Sequence, residues 1–240
     1  GGMMPKLLAA ISKDRQSIVT GSDNIPDGME PWLIKLSNSQ PGEYSRCYLE
    51  MAYFDLAKDS GIRVPETMMI ADSNGLEHFA IKRFDREAND PNKRIHLHTF
   101  AGLLEIHMND ATTDYETLLR ATLKLTGDHR ELEEQFRRMI FNLLSCVRDD
   151  HAKNFSFLMD ERGKWNVSPA YDLGYSESNV DGNWLLIGGR RGHINRSHLK
   201  ALADKFSIRE SKLDEMIDSI CASLAKWPEL ARRWNIGPGV

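Results

Sequence analysis

Short apolar runs broken by turn residues dominate the first third of the chain, and longer stretches with helical spacing dominate the rest. Leu7-Leu8-Ala9-Ala10-Ile11 is followed by polar residues, and Trp32-Leu33-Ile34-Lys35-Leu36 lies between Pro31 and Ser37-Asn38-Ser39; both read as strands. Between Glu43 and Ser60 the period changes. Leu49, Ala52, Tyr53 and Leu56 fall at i, i+3, i+4 and i+7, the stripe of a helix, with Gly61 as its stop and Pro65 soon after. Met68-Met69-Ile70 and His78-Phe79-Ala80-Ile81 flank Asp72-Ser73-Asn74-Gly75, a hairpin signal because Asn-Gly accepts the positive φ of a tight turn.

From Asp85 onward the spacing predicts helices over 99–107, 115–125 and 129–146. In the last of these, Leu132, Phe136, Met139, Ile140, Leu143 and Leu144 form one wide apolar stripe suited to a core face. Phe155-Ser156-Phe157-Leu158 and Trp165-Asn166-Val167, around Asp160-Glu161-Arg162-Gly163, predict a hairpin, and residues 197–233 are helical again. The expected fold is α+β in two lobes. A small β-rich lobe with one helix spans 1–85, and a larger, mostly helical lobe with a β-hairpin spans 86–240. A cleft between lobes is a common nucleotide site.

Composition narrows the function. Of 240 residues, 41% are hydrophobic and 28% charged, a globular balance. Lys plus Arg number 31 against 35 Asp plus Glu, a net charge of −4, so any polyanion site must be local. No apolar run reaches the length of a membrane span, so no membrane partner is expected. Cys47, Cys146 and Cys221 form no C-x-x-C pair, which argues against a zinc site or disulfide framework and for a reducing, cytoplasmic setting. The chain opens Gly1-Gly2-Met3-Met4, so Gly1-Gly2 is either a tag scar or the sign of a piece of something longer.

Arg148-Asp149-Asp150-His151-Ala152-Lys153-Asn154 carries the most information, because R-D-x-x-x-x-N is the catalytic-loop spacing of protein kinases. Phosphoryl transfer needs a carboxylate to accept the hydroxyl proton and hard oxygens to hold magnesium, and such a loop lets both converge. Asp172, in Tyr171-Asp172-Leu173-Gly174 after the hairpin, stands where the D-F-G metal aspartate does. Lys35 interrupts an apolar strand; pairing with nucleotide phosphates is one reason for it, and snorkelling from a half-buried strand is another. Glu50, on the following helix, is the candidate to hold that ammonium, with Glu43 and Asp55 as competitors. Gly1-Gly2 followed by Lys6 reads as the trailing half of a phosphate-covering turn. The basic run Gly188 to Arg196 reads as a solvated loop, and Cys146 as core filling.

Asp149-Asp150-His151-Ala152-Lys153-Asn154-Phe155-Ser156, Ser168-Pro169-Ala170-Tyr171-Asp172, Arg83-Phe84-Asp85-Arg86 and Leu33-Ile34-Lys35-Leu36 together resemble the HipA family, bacterial serine/threonine kinases of toxin–antitoxin modules. The resemblance implies a two-lobed protein-kinase-like fold and an ATP- and Mg2+-dependent kinase. By position it makes Asp149 the catalytic base, Asn154 and Asp172 the metal ligands and Lys35 the phosphate lysine. It makes Lys82, Arg83 and Phe84 the hinge that meets adenine through its backbone, and it sets His151, Lys153 and Tyr171 beside the nucleotide. Gly1, Gly2 and Lys6 match the family's phosphate loop, although Met3-Met4 replace its usual Ala-Arg. The implied partners are a translation-related protein substrate such as an aminoacyl-tRNA synthetase, a small helix-turn-helix antitoxin, and DNA only through that antitoxin. Family members also carry a further N-terminal subdomain and a serine before the glycine turn, so the resemblance implies the two-lobed catalytic core of a longer or a split kinase, the split form needing a separate protein with that subdomain.

Two rival readings remain. One is a catalytically weak kinase-fold subunit working in an antitoxin and DNA complex. The other is a metal-dependent hydrolase using Asp149, Asp150, His151 and Asp172, which leaves Lys35 and the hinge without a purpose.

Overall fold

The computed structural model describes residues 4–21, 24–39, 45–107, 110, 112–176 and 182–237. Gly1, Gly2 and Glu43 lie outside the described residues. Five strands, β1 (Lys6–Ser12), β2 (Ile18–Thr20), β3 (Met29–Lys35), β4 (Thr67–Ala71) and β5 (Glu77–Lys82), form an antiparallel sheet in the order β2-β1-β3-β5-β4. Alternation sends Ala9, Ile11, Trp32, Ile34 and Ala80 to one face, where they form a small apolar cluster of their own. The opposite face carries Leu33, Phe79 and Ile81 toward α1 (Arg46–Asp59), and the Phe79 and Phe54 rings meet there at 5.3 Å. Helix α1 begins where Ser45 Oγ accepts from Cys47 N and stops before Gly61 at φ 76°. Its predicted stripe of Leu49, Ala52, Tyr53 and Leu56 is buried.

The remaining elements are β6 (His96–Thr99), α2 (Phe100–Leu103), α3 (Tyr115–Thr126), α4 (His129–Leu144), a single 3-10 turn (Ala152–Asn154), β7 (Ser156–Met159), β8 (Trp165–Val167), α5 (Arg196–Lys205), α6 (Glu210–Leu224) and α7 (Trp227–Arg233). The expected α+β, kinase-like architecture is borne out. A mostly antiparallel, β-rich part with one helix is followed by a part that is mostly helix.

Details differ from the sequence reading for identifiable reasons. β2 was not expected, because all three of its residues are exposed and show no buried–exposed alternation. β6 adds a third strand to the predicted hairpin, in the order β6-β7-β8. The helix expected over 99–107 is one turn, started by the Thr99 hydroxyl and ended near Glu105, whose φ is 53°. The tail is three helices, broken at Ser207 (φ 56°) and before Pro228. Leu132, Phe136, Met139 and Ile140 are fully buried as expected, but Leu144, the last residue of α4, is exposed.

The main core runs from α1 into the C-terminal helices. Ser223 Oγ donates to Leu56 O at 2.9 Å, Tyr53 OH donates to Ser145 O at 2.7 Å, and the Tyr53 and Trp227 rings meet edge-on at 5.8 Å. No helix among the described residues is long and apolar enough to cross a membrane.

One backbone crossing depends on glycine. At Gly182 (φ +103°) a Cβ would fall 2.0 Å from the Arg191 carbonyl oxygen. Gly182→Ala should therefore cost about 2 to 4 kcal/mol. Gly163→Ala, at φ +77° with nothing within 4 Å, should cost only about 1 to 2 kcal/mol. Denaturant melts of the two variants rank these losses, and equal losses would count against the tight crossing.

Candidate functional site

Lys35 ends β3 with its side chain almost wholly inside the protein, where an ammonium without partners would be very costly. Its Nζ donates to Glu50 Oε1 at 2.5 Å and to Asp172 Oδ1 at 2.6 Å. Burial works against the charge on Lys35, but the Glu50 and Asp172 carboxylates outweigh it and hold its pKa above the ordinary lysine value. Burial pushes the Glu50 carboxyl up against the pull of Lys35. At Asp172 burial has the same sense, but the Lys35 ammonium wins and holds the carboxyl below its ordinary value. Of the residues weighed against Glu50, Asp55 instead accepts from Trp234 Nε1 at 3.1 Å.

Lys6 stands directly opposite Lys35 in the β1–β3 register, so both point to the same face. Like charges opposite each other on neighbouring strands repel, and here Glu50 and Asp172 lie within the field of both lysines. Leu8, two residues along from Lys6, shares that face, as does Val19, opposite Ala10. Both are exposed, Leu8 at 52% and Val19 at 36%, and so form an uncovered apolar patch beside the two lysines. The sequence reading did not single them out, since an apolar residue in a strand is ordinarily core. The signal was available in the alternation that puts Leu8 in phase with Lys6 and Lys35.

Between α4 and β7 the chain turns at Cys146 (φ 58°) into the loop 147–154. Ser176 Oγ accepts from Arg148 N at 3.0 Å and from Asp149 N at 2.8 Å, and Asn154 Nδ2 donates to Asp149 O at 2.8 Å. The Asp149 side chain is well exposed, with His151 Nε2 3.9 Å from its Oδ1. Burial of its inner part and the nearby Asp172 carboxylate raise the Asp149 pKa against the pull of His151. Asp172 has φ 57°, rare for a side-chain-bearing residue. Leu173 beside it is buried in the core while Asp172 reaches Lys35, and these two anchors hold the strained backbone. Asn154, Tyr171 and Asp172 border one small cavity together with Asp150.

The other expected residues divide. The side chain of Lys82 bonds Glu30 Oε1 at 2.6 Å and Arg83 forks onto Asp85 at 2.9 and 2.6 Å, while their backbone amides donate to Glu66 O at 2.8 Å and Pro31 O at 2.9 Å. Arg86 also bonds Asp85, so Arg83-Phe84-Asp85-Arg86 works here as a latch on its own turn. The Phe84 and Tyr171 rings meet at 5.8 Å, and Tyr171 OH is fixed by Ser156 Oγ at 2.5 Å and Lys153 O at 2.7 Å. His151 and Lys153 border a different hollow, with His107 and Trp184. Asp150 is turned inward, 1% exposed, bonded to Tyr115, Asn183 and Trp184. That removes it from the acidic cluster that the hydrolase reading needs. In the basic run, Arg191 bonds the carbonyls of Asn183 and Trp184, and Arg196 pairs with Glu210 and Asp214.

A small antiparallel sheet whose strand lysine meets a helix glutamate, set against a mostly helical part that carries the aspartate and asparagine of one loop, defines a protein-kinase-like fold. The chain belongs to the HipA-like C-terminal domain family, whose profile matches residues 1–227. It is 28% identical over 186 residues to a Haemophilus influenzae protein provisionally named a kinase, covering 72% of this chain and 51% of that protein. It is 31% identical over 156 residues to a similarly named protein of Sinorhizobium fredii, Y4dM, covering 59% of this chain and 36% of that one. The chain thus spans about half the length or less of these curated relatives. Among solved structures, its fold is similar to HipA of Shewanella oneidensis, determined with HipB and operator DNA. The TM-score is 0.70 at 18% identity, over 100% of this chain and 59% of that one. It is also similar to the proinflammatory kinase CtkA of Helicobacter pylori, with a TM-score of 0.55 at 14% identity, over 86% and 91% of the two chains.

Two predictions follow from this electrostatics. Lys35→Ala leaves the Glu50 carboxylate buried without its cation and should destabilise the fold by about 3 to 5 kcal/mol, whereas Lys35→Met combined with Glu50→Leu should cost far less. A double-mutant cycle by urea unfolding measures the difference; two equal losses would mean that burial of the ions is not what matters. Separately, burial lifts the Asp150 carboxyl from 3.8 to about 6 in spite of its three donors. Its folded pKa lies above its unfolded one, so its contribution is full below pH 3.8 and is lost as pH rises through about 6. Relative to Asp150→Asn, wild-type stability should fall by about 3 kcal/mol across that window. Parallel pH series of the two proteins test this, and parallel curves would refute it.

Proposed function

We propose that this chain is the core of an ATP- and Mg2+-dependent serine/threonine protein kinase of a bacterial type II toxin–antitoxin module. The observation that carries this reading is the buried Lys35 ammonium between Glu50 and Asp172, on the same sheet face as Lys6. Two lysines opposite one another suit a polyphosphate, and the exposed Leu8 and Val19 beside them suit a flat base. In the same proposal Lys82, Arg83 and Phe84 meet that base through backbone groups other than the Lys82 and Arg83 amides, which donate to Glu66 O and Pro31 O, and residues 1–85 cover the nucleotide while 86–240 carry the loop. Gly1 and Gly2 belong to the same proposal as part of the phosphate cover.

The residues fit a magnesium ion. Asp172 has a carboxylate and Asn154 an amide oxygen on one cavity, and the Asn154 Nδ2 is already committed to Asp149 O. Among the described residues no three His, Cys, Asp or Glu side chains cluster as a metal cage, and a magnesium shared with phosphates needs none. When bound, Mg2+ and ATP supply charge neutralisation and the transferable phosphoryl group. Lys35 and Lys6 orient the phosphates, Asn154 and Asp172 hold the ion, and Asp149 accepts the proton of the acceptor hydroxyl. The raised pKa of Asp149 suits that task.

The proposed acceptor is a translation-related protein, such as an aminoacyl-tRNA synthetase. The proposed partner is a small helix-turn-helix antitoxin, with DNA reached only through it. The similarity to a structure containing HipA, HipB and operator DNA supports the antitoxin part. The test is transfer of labelled γ-phosphate from Mg-ATP to the chain itself and to casein. Asp149→Ala should lower the rate by at least about 100-fold while leaving circular dichroism unchanged. Equal labelling by Asp149→Ala and wild type would refute the role of Asp149, and calorimetry that finds no Mg-ATP binding would favour the antitoxin-complex subunit alone.

A further inference from the structure

Asp149 and Asp150 are neighbours with opposite fates. The side chain of Asp149 is 64% exposed, while Asp150 as a residue is 1% exposed. Phosphoryl transfer gives Asp150 no chemistry to do, yet a buried carboxylate is expensive unless donors converge on it. Here they do. Its Oδ2 accepts from Tyr115 OH at 2.5 Å and Asn183 Nδ2 at 2.9 Å, and its Oδ1 accepts from Trp184 N at 2.6 Å. Asn142 Nδ2 donates in turn to Tyr115 OH at 3.0 Å. The same two residues, Asn183 and Trp184, grip the loop at two more places, Val147 O at 3.2 Å and Arg148 O at 3.0 Å.

The gripping segment is itself closed and anchored. Arg191 Nη1 bonds the Asn183 and Trp184 carbonyls, each at 3.0 Å, and Gly182 crosses tightly against Arg191. Leu186 exchanges backbone bonds with Thr113 and Tyr115 at 2.9 and 2.8 Å, and Gly189 N donates to Asp114 Oδ2 at 2.6 Å, both at the start of α3. From the other side Ser176 Oγ receives the Arg148 and Asp149 amides. The loop is therefore bonded from two sides, and Asp150 is the only side chain of 147–154 that bonds both Asn183 and Trp184 among the described contacts.

We propose that Asp150 is a positioning residue, which locks the segment 182–191 to the loop 147–154 and so sets where the Asp149 carboxylate stands. This deepens, and rests on, the kinase reading of Asp149. Trp184 borders the hollow that His151 and Lys153 line, so the bond from Trp184 N to Asp150 ties that wall to the loop that carries Asp149. Removing the carboxylate would free both at once. A shift of about 1 Å at a reacting group costs about 100-fold in rate.

The test uses the full chain with Asp150→Ala, Asp150→Asn and Asn183→Leu, at a temperature where each remains folded by circular dichroism. Three quantities are read: the Kd for Mg-ATP by calorimetry, the phosphate-transfer rate at saturating ATP, and amide hydrogen exchange. The expected result is a Kd within about twofold of wild type and a saturated rate about 100-fold lower in Asp150→Ala, with partial recovery in Asp150→Asn, which keeps one acceptor oxygen. Asn183→Leu should lower the rate in the same direction. Amides 147–151 and 182–187 should lose protection together, and those of α6 should not. The proposal is overturned if folded Asp150→Ala turns over within about threefold of wild type, if its affinity for Mg-ATP falls in step with its rate, or if both segments keep their protection. Should wild type itself transfer no phosphate, the kinase reading fails, and the exchange data alone decide whether Asp150 couples the two segments.

Discussion

One buried ammonium organises this molecule. Lys35 comes from a strand, Glu50 from a helix and Asp172 from an irregular segment more than a hundred residues later, and they meet within 2.6 Å contacts. An ion pair of this kind adds little to net stability, because desolvation of the charges offsets most of their attraction. What it adds is a link between distant parts: α1 meets the sheet at Lys35 through Glu50, and the segment after β8 meets the same ammonium through Asp172. The positive φ of Asp172 is the local cost of that arrangement, and the burial of Leu173 beside it is what sustains it.

Because Glu50 rides on α1, whatever fixes that helix also fixes the site. Half of its surroundings are the sheet, through Phe54 against Phe79, and half are the C-terminal helices, through Ser223 on Leu56 O and Lys226 on Asp59. The tail after Arg196 is thus no appendage. It presses α1 onto the sheet from behind, and the glutamate at the edge of the buried stripe is carried to Lys35. The same logic applies to the turn after β5, where Arg83 and Arg86 share Asp85 and set the course of the chain out of the sheet.

How much of this could be read in advance depended on whether the signal was local. The α1 stripe, the Asn-Gly hairpin and the spacing from Asp149 to Asn154 are each complete within a few residues, and Glu50 could be picked from its position at the edge of an apolar face. β2 and β6 could not be read, because a three-residue strand with every side chain exposed, or a His-Leu-His-Thr run, becomes a strand only when its neighbour pairs with it. The basic run near Arg190 looked like a solvated loop because the carbonyls that Arg191 caps belong to residues 183 and 184, which have no regular pattern. Leu8 was hidden for the opposite reason: an apolar strand residue announces burial, and only the register with Lys6 and Lys35 reveals that it shares their face.

The pair Asp149-Asp150 shows the limit most sharply. Two identical side chains in one loop are indistinguishable by composition or spacing, and a reading that counts acids assigns both to a metal cluster. Their separation is decided by donors from elsewhere: a tyrosine at the start of α3, an asparagine and a backbone amide thirty-odd residues downstream. Once those donors claim Asp150, Asp149 is left on the open side with Asp172 and His151 nearby. The chemical distinctness of the two aspartates is thus a tertiary property. The inward one ties the loop to residues 183 and 184, and the outward one is left near Asp172, which Lys35 holds.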